Sequence, residues 1–158
     1  MESPPARPAH PGFTLVEILI VVVILGILAA IVVPRFAGAT DEAKMGAFIA
    51  SLKTYADACE YFAVKEGFYP PDGGSGEIPA GFEDYVDQSE YESPTPVGGV
   101  WDIEYNEMGV TSAVGVHFIG EPVPGYMLQI DERFDDGDLE GGLFQEIAGD
   151  RFYYIIAF

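Results

Sequence analysis

Apolar positions along the chain fall into three regimes with different periods. From Phe13 to Val33 every residue is apolar except Thr14 and Glu17, and a helix of about 20 such residues crosses a hydrocarbon core about 30 Å thick. Past Pro34, the positions Met45, Phe48, Ile49, Leu52, Tyr55, Ala56, Cys59, Phe62 and Ala63 recur at spacings of three and four, which is one face of an amphipathic helix. Joined, the two predict a single helix from about Phe13 to Glu66, on the order of 80 Å long at 1.5 Å per residue, stopped by Gly67. Beyond Pro96 the period shifts toward two: Trp101, Ile103 and Tyr105; Val114, Val116 and Phe118; Tyr126, Leu128 and Ile130; Phe152, Tyr154, Ile156 and Phe158. Four short antiparallel strands account for it.

Turn chemistry fills the gaps. Tyr69-Pro70-Pro71-Asp72-Gly73-Gly74-Ser75-Gly76 makes 68–79 a loop, and Phe82, Tyr85 and Val86 predict one short amphipathic helix. Asn106-Glu107-Met108-Gly109 turns the first hairpin, and Glu121-Pro122-Val123-Pro124-Gly125 separates the second and third strands. Within the apolar helix, Gly26 carries an entropic cost and Pro34 removes a backbone donor and crowds the preceding turn, so 26–34 is expected to kink or loosen. The plainer alternative for that pair is that Gly and Pro are simply commoner in membrane helices. The fold class is α+β, with residues 34–158 enough for one core and too few for two.

Glu17 is what a plain membrane anchor leaves unexplained, because an acidic side chain inside a spanning helix is costly and usually has a partner. The string Gly12-Phe13-Thr14-Leu15-Val16-Glu17 with its apolar continuation resembles the cleavage and methylation signature of type IV prepilins and type II secretion pseudopilins. The resemblance implies a pilin-like fold and three segments: a leader over 1–12, an assembly and membrane helix over 13–33, and a globular domain over 34–158. It implies cleavage between Gly12 and Phe13 by a prepilin peptidase, N-methylation of Phe13, and pairing of Glu17 with the cationic N-terminus of a neighbouring subunit. Coulomb's law supports that pairing, since opposite charges 4 Å apart attract by roughly 4 kcal/mol at an effective dielectric near 20. Pro11 stands where the family often has a basic residue, and Arg7 is the leader's one Lys or Arg. Arg35, Lys44 and Lys53 follow the span, so charge alone would put the C-terminal side in the cytoplasm. The motif sets the opposite orientation, because long domains translocate largely regardless of charge. A Sec-type signal peptide is disfavoured, since no small-residue cleavage site breaks the run from Ile18 to Ile27.

Formal net charge is −19, and no Lys or Arg lies between Glu66 and Glu132. Such a surface argues against binding nucleic acid or anionic lipid. Cys59 is the one cysteine; it forms no intramolecular disulfide and falls on the apolar helical stripe, where packing is its expected role. Trp101, in an alternating strand, is expected in the core rather than on a carbohydrate platform. His10 precedes the apolar run and His117 is expected to point away from the core from a strand. With no second histidine beside it, no distinguishable carboxylate pair and no phosphate loop, an enzyme is not expected.

One constellation remains, Asp131-Glu132-Arg133-Phe134-Asp135-Asp136-Gly137-Asp138-Leu139-Glu140-Gly141-Gly142, placed by the strand pattern between the last two strands. Oxygen ligands and glycines in one tight loop suit Ca²⁺, which takes six to eight oxygens. Asp135, Asp136, Asp138 and Glu140 are the candidate ligands, against the alternative of a solvated acidic turn, and the spacing does not fit an EF-hand. Major pseudopilins, which this region resembles, use calcium in place of a disulfide to pin this end of the fold. The expected protein is therefore a single-pass inner-membrane pseudopilus subunit with its domain outside the cytoplasm. Its expected partners are other copies of itself, the prepilin peptidase/methyltransferase, and other pseudopilins and inner-membrane secretion components. A type IV pilin for adhesion or motility, or a signal-anchored binding domain that never polymerises, are the alternatives.

Overall fold

A computed structural model describes the backbone of residues 14–158, and side chains over the same range apart from 31–39. Helix α1 runs Leu15–Glu66. Its first turn is closed reciprocally: the Thr14 amide and hydroxyl both donate to Glu17 Oε2 at 2.8 Å, and the Glu17 amide donates to the Thr14 hydroxyl at 3.2 Å. That is a capping box, in which residues three apart satisfy each other's exposed donors. Helical backbone continues through Gly26 and Pro34. It ends at the expected stop, where Gly67 adopts φ 84° and donates its N–H to the Ala63 carbonyl at 2.9 Å, the left-handed closure that glycine permits.

The chain divides into two units at Thr40/Asp41. In the first, apolar side chains lie bare: Leu15 is 84% exposed, and Ile18 to Leu25, Ile27 and Leu28 are each more than half exposed. Among the described residues no helix is long and apolar enough to cross a membrane.

In the second unit, residues Asp41–Glu66 of α1 pack on a four-stranded sheet. Strands β1 (Val100–Tyr105), β2 (Ser112–His117), β3 (Phe144–Ala148) and β4 (Arg151–Ala157) are ordered β1-β2-β4-β3, each neighbouring pair antiparallel. Alternation sends Trp101, Ile103, Val114, Val116 and Phe152 toward the helix, where they meet Phe48, Leu52, Tyr55, Cys59 and Phe62. Trp101 is a core residue, stacked on Phe48 at 5.3 Å between ring centroids and met edge-on by Tyr55 at 4.8 Å. Cys59 is fully buried, and burial pushes its thiol well up, which leaves it a packing residue without thiolate chemistry. This is the α+β class that the periodicities predict, and it is consistent with the pilin-like fold that the resemblance implies.

The third predicted strand is wrong. Met127–Phe134 is a helix, α3, whose buried residues Met127, Ile130 and Asp131 follow helical spacing, while Leu128, which the period-two reading placed inward, is 45% exposed. Short apolar runs satisfy both periods, and here tertiary packing decides. The missing strand is β3, where only Phe144 is buried and a bulge between Glu146 and Ala148 breaks the alternation. The acidic constellation thus starts inside α3 and continues in the loop from α3 to β3. The single helix predicted near Phe82 is two separate turns, a 3₁₀ turn at Phe82–Asp84 and α2 at Gln88–Tyr91. Asp87 caps α2 by accepting from the Glu90 amide.

Candidate functional site

Gly12 and Phe13 lie outside the described residues. Of the N-terminal candidates, Glu17 is exposed in the first turn of α1, with both Thr14 donors gathered on Oε2. This geometry leaves Oε1 to face a second partner. The capping role was readable from Thr14-Leu15-Val16-Glu17, a Thr followed three residues later by Glu ahead of an apolar run. Gly26 is not demanded by the chain's own packing, since a Cβ there would meet no atom within 4 Å.

The acidic loop is built around a carboxylate that the candidate set omitted. Asp131 is fully buried in α3, and neither of its carboxylate oxygens accepts a hydrogen bond of proper geometry. Burial, then Asp135 and Asp136, push its pKa up, against a smaller opposing pull from the Gly137 and Asp138 amides. One oxygen each from Asp131, Asp135 and Asp136 lie within 4.8 Å of one another. Asp138 and Glu140 fall outside that trio. Asp138 shapes the turn, its Oδ1 accepting from the Glu140 amide at 3.1 Å, while its own amide donates to Asp136 Oδ1 at 2.9 Å. Asp135 ties the loop to β3 by accepting from the Leu143 and Phe144 amides. Gly142 is required here: it has φ 65°, and a Cβ would collide with the Asp135 carboxylate. Three carboxylates converging on one point, one of them buried with no hydrogen bond of proper geometry, form a group that could hold a hard divalent cation.

A second polar assembly covers the sheet face turned away from α1, and the sequence reading missed it. His117 does point away from the apolar core, as alternation predicts, but it is not bare: its side chain is only 13% exposed. Asp102 and Glu104 on β1 are buried beside it. Asp102 Oδ2 accepts from the Ser75 hydroxyl at 2.8 Å and the Tyr153 hydroxyl at 2.6 Å. Arg151 pairs with Glu104 and lies 3.4 Å from Asp102. Burial and then Asp102 push Glu104 up, with Arg151 acting against them; burial, Asp102 and Glu107 do the same to Asp72. These groups border a cavity of about 250 Å³ lined by Asp72, Gly73, Gly74, Ser75, Asp102, Glu104, Glu107 and Arg151.

Ser75, His117 and Asp150 form a row in which Ser75 Oγ is 2.8 Å from His117 Nδ1 and His117 Nε2 is 3.3 Å from Asp150 Oδ2. Nucleophilic catalysis would also need donors aimed at a developing oxyanion. The adjoining cavity sets four carboxylates against one guanidinium, an acidic excess that disfavours such a charge, and the Ser75 hydroxyl is already donated to Asp102. The row fits a structural tie between the glycine-rich loop and the sheet.

The long helix α1 on a four-stranded antiparallel sheet is an α+β fold consistent with a pilin-like arrangement. Residues 7–33 match the prokaryotic N-terminal methylation motif. The chain is 44% identical over 64 residues to the type II secretion system core protein G of Pseudomonas aeruginosa, covering 40% of this chain and 45% of that one. It is 40% identical over 72 residues to the type IV narrow pilus major component PilA5 of Thermus thermophilus, covering 40% and 62%, and 34% identical over 65 residues to core protein G of Escherichia coli, covering 41% and 45%. The chain thus spans about half the length of the relatives it matches. No solved structure matches it.

Proposed function

We propose that the chain is a structural subunit of a type II secretion pseudopilus. In this reading prepilin peptidase cuts between Gly12 and Phe13 and methylates the Phe13 amine. Residues 13–33 then hold the subunit as a single pass in the bacterial inner membrane, with the C-terminal domain outside the cytoplasm. Extraction into a helical homopolymer in the periplasm follows, alongside other pseudopilins and inner-membrane secretion components. The observation that carries the reading is the bare apolar surface from Leu15 to Leu28 interrupted by one carboxylate, Glu17. Exposed apolar area of that extent requires lipid or a partner to cover it. In a bundle of such helices, Glu17 Oε1 takes a neighbour's amine while Oε2 stays with Thr14. Gly26 and Pro34 give the segment between them the slack to adapt as subunits pack. The role is structural rather than enzymatic.

The buried, unpartnered Asp131 supports a calcium ion at the acidic loop. Asp131, Asp135 and Asp136 would form its inner set, with Asp138 and Glu140 from the same turn as further oxygens. Bound there, the ion supplies charge compensation and ties α3 to β3 where no disulfide is available. The 40% identity to a type IV pilus component over 72 residues supports a second reading, a pilus subunit for adhesion or motility.

Mass spectrometry of the membrane-extracted protein from cells with the peptidase tests the first step. A chain beginning at N-methylated Phe13 is expected, and an intact Met1 would refute it in favour of a signal-anchored, non-polymerising domain. Glu17→Ala is expected to enter the membrane at parental levels and to be depleted from filaments at least ten-fold; parental incorporation would end the register role. Loss of exoprotein release on deletion separates secretion from surface pili.

A further inference from the structure

Where α1 ends, its last turns and the β1–β2 hairpin enclose a cavity of about 450 Å³ whose lining includes Glu60, Val64, Phe68, Tyr69, Tyr105 and Thr111. That volume is within the range of small-ligand sites. Its walls are fixed before anything enters. Phe68 is braced edge-on by the buried Phe62, 5.6 Å between ring centroids. Tyr105 is the last residue of β1. Thr111 is tied to the end of β4, its amide donating to the Ala157 carbonyl and its hydroxyl to the Phe158 carbonyl, both at 2.9 Å. Glu60 is the one charged group in the lining, and it has no hydrogen-bond or ion-pair partner among the described residues. Neighbouring charges on α1 are committed elsewhere: Lys65 stands over the Tyr61 ring at 5.5 Å, and Glu66 accepts from the Tyr85 hydroxyl at 2.9 Å. Gly67 also borders the cavity, which therefore meets the helix end where the last carbonyls carry partial negative charge.

We infer that this cavity binds an arginine side chain presented by a basic partner polypeptide. Three aromatic rings, one unpaired carboxylate and the negative end of a helix all favour a cation, and no Lys or Arg of the chain lines the cavity to supply one. Guanidinium suits these walls better than ammonium. It is planar, stacks on aromatic faces, gives up its weaker hydration more readily, and can donate two parallel hydrogen bonds to one carboxylate, here Glu60. The apolar stem of the arginine has its own cover in Val64, which is 83% exposed, and Phe68, which is 50% exposed. Charge complementarity sets the source of the side chain. The chain carries a formal net charge of −19, and the stretch without Lys or Arg between Glu66 and Glu132 supplies Phe68, Tyr69, Tyr105 and Thr111. Such a surface opposes the acidic domain of a second copy and attracts a basic segment. The inference does not depend on cleavage, filament assembly or calcium.

Titration of the full chain in detergent micelles with acetyl-glycyl-arginyl-glycinamide, at about 0.15 M salt and followed by NMR, tests it. Saturable shifts are expected at the Gly67, Tyr105 and Thr111 amides, with a Kd on the order of 1 mM for one side chain. The citrulline peptide, equal in shape and uncharged, should bind about ten-fold more weakly. Glu60→Gln keeps the size of an exposed side chain and should weaken the arginine peptide about five-fold. Glu66→Gln removes the same charge from a carboxylate outside the cavity and should change the affinity by less than about two-fold. Free arginine brings a carboxylate of its own and should bind more weakly than the blocked peptide; tighter binding would overturn the polypeptide source. Equal affinity for the two peptides, equal weakening by the two substitutions, or shifts spread over the acidic surface without saturation would overturn the site.

Discussion

Asp131 offers the sharpest test of the acidic loop, because the metal-free and metal-bound proteins should respond to its loss with opposite sign. In the absence of a cation the fold buries a carboxylate without a hydrogen bond, facing Asp135 and Asp136. The effective penalty for a buried, unpaired ion is several kcal/mol, part of it avoided by protonation. Asp131→Asn removes the charge and keeps the shape, so in EDTA it should stabilise the fold by about 1–3 kcal/mol. With calcium the ledger reverses. An ion bound about 100-fold above its dissociation constant adds about 2.7 kcal/mol, which for a unit the size of residues 41–158 raises the melting temperature by about 10 °C. Calorimetry of the full chain in detergent, with EDTA and then with about 1 mM CaCl₂, reads both effects. The parent should shift by about 10 °C and the variant by less than about 2 °C, the two curves crossing between the conditions. An Asn variant less stable than the parent in EDTA would refute the buried-charge argument, and a parent indifferent to calcium would refute the site.

Other consequences are more local. Phe48 is fully buried, stacked on Trp101 and set edge-on to Phe144, so Phe48→Ala should cost about 3–5 kcal/mol in chemical denaturation followed by Trp101 fluorescence; a loss under about 1 kcal/mol would show that α1 is not seated on the sheet as described. Glu104 has a raised pKa in the folded chain. Its contribution to stability is therefore fully present below the pKa of an unfolded glutamate and is lost as pH rises through the folded value. Melting temperatures in EDTA should accordingly show a smaller fall between mildly acidic and neutral pH in Glu104→Gln than in the parent, and parallel profiles would contradict the assignment.

Legibility from sequence followed how much of the structure is local. α1 was readable to its last residue because a continuous apolar run is followed by nine apolar positions, Met45 to Ala63, at helical spacing, and Gly67 supplies the stop. β1, β2 and β4 were readable because an alternating apolar face of each packs on the core, as Trp101 and Ile103, Val114 and Val116, and Phe152 with the partly buried Tyr154 and Ile156 show. α3 and β3 were not, since eight and five residues leave too few positions for a period to be distinctive, and β3 is irregular as well. The acidic loop was found by composition, yet its central residue was missed: Asp131 is a ligand candidate only because α3 buries it, and the strand assignment hid that helix. The assembly around His117 had still less signal. Ser75, Asp102, His117 and Asp150 are far apart in sequence, and only the antiparallel register brings them together.

The same contrast between local and distant partners bears on Glu17. Thr14-Leu15-Val16-Glu17 is a helix start that needs no second molecule, and its reciprocal bonds are formed within one chain. A capping box contributes on the order of 1 kcal/mol, whereas an ion pair shielded from water at 4 Å contributes roughly 4 kcal/mol of attraction at an effective dielectric near 20. The two roles do not compete for the same oxygen, because both Thr14 bonds converge on Oε2. The cap would instead prepare the proposed pair. It fixes the carboxylate against the first turn of α1, so that less rotamer freedom is lost when an amine arrives at Oε1. If Glu17 takes a neighbour's amine as proposed, Thr14 is a positioning residue for that contact, its amide and hydroxyl holding the carboxylate through Oε2.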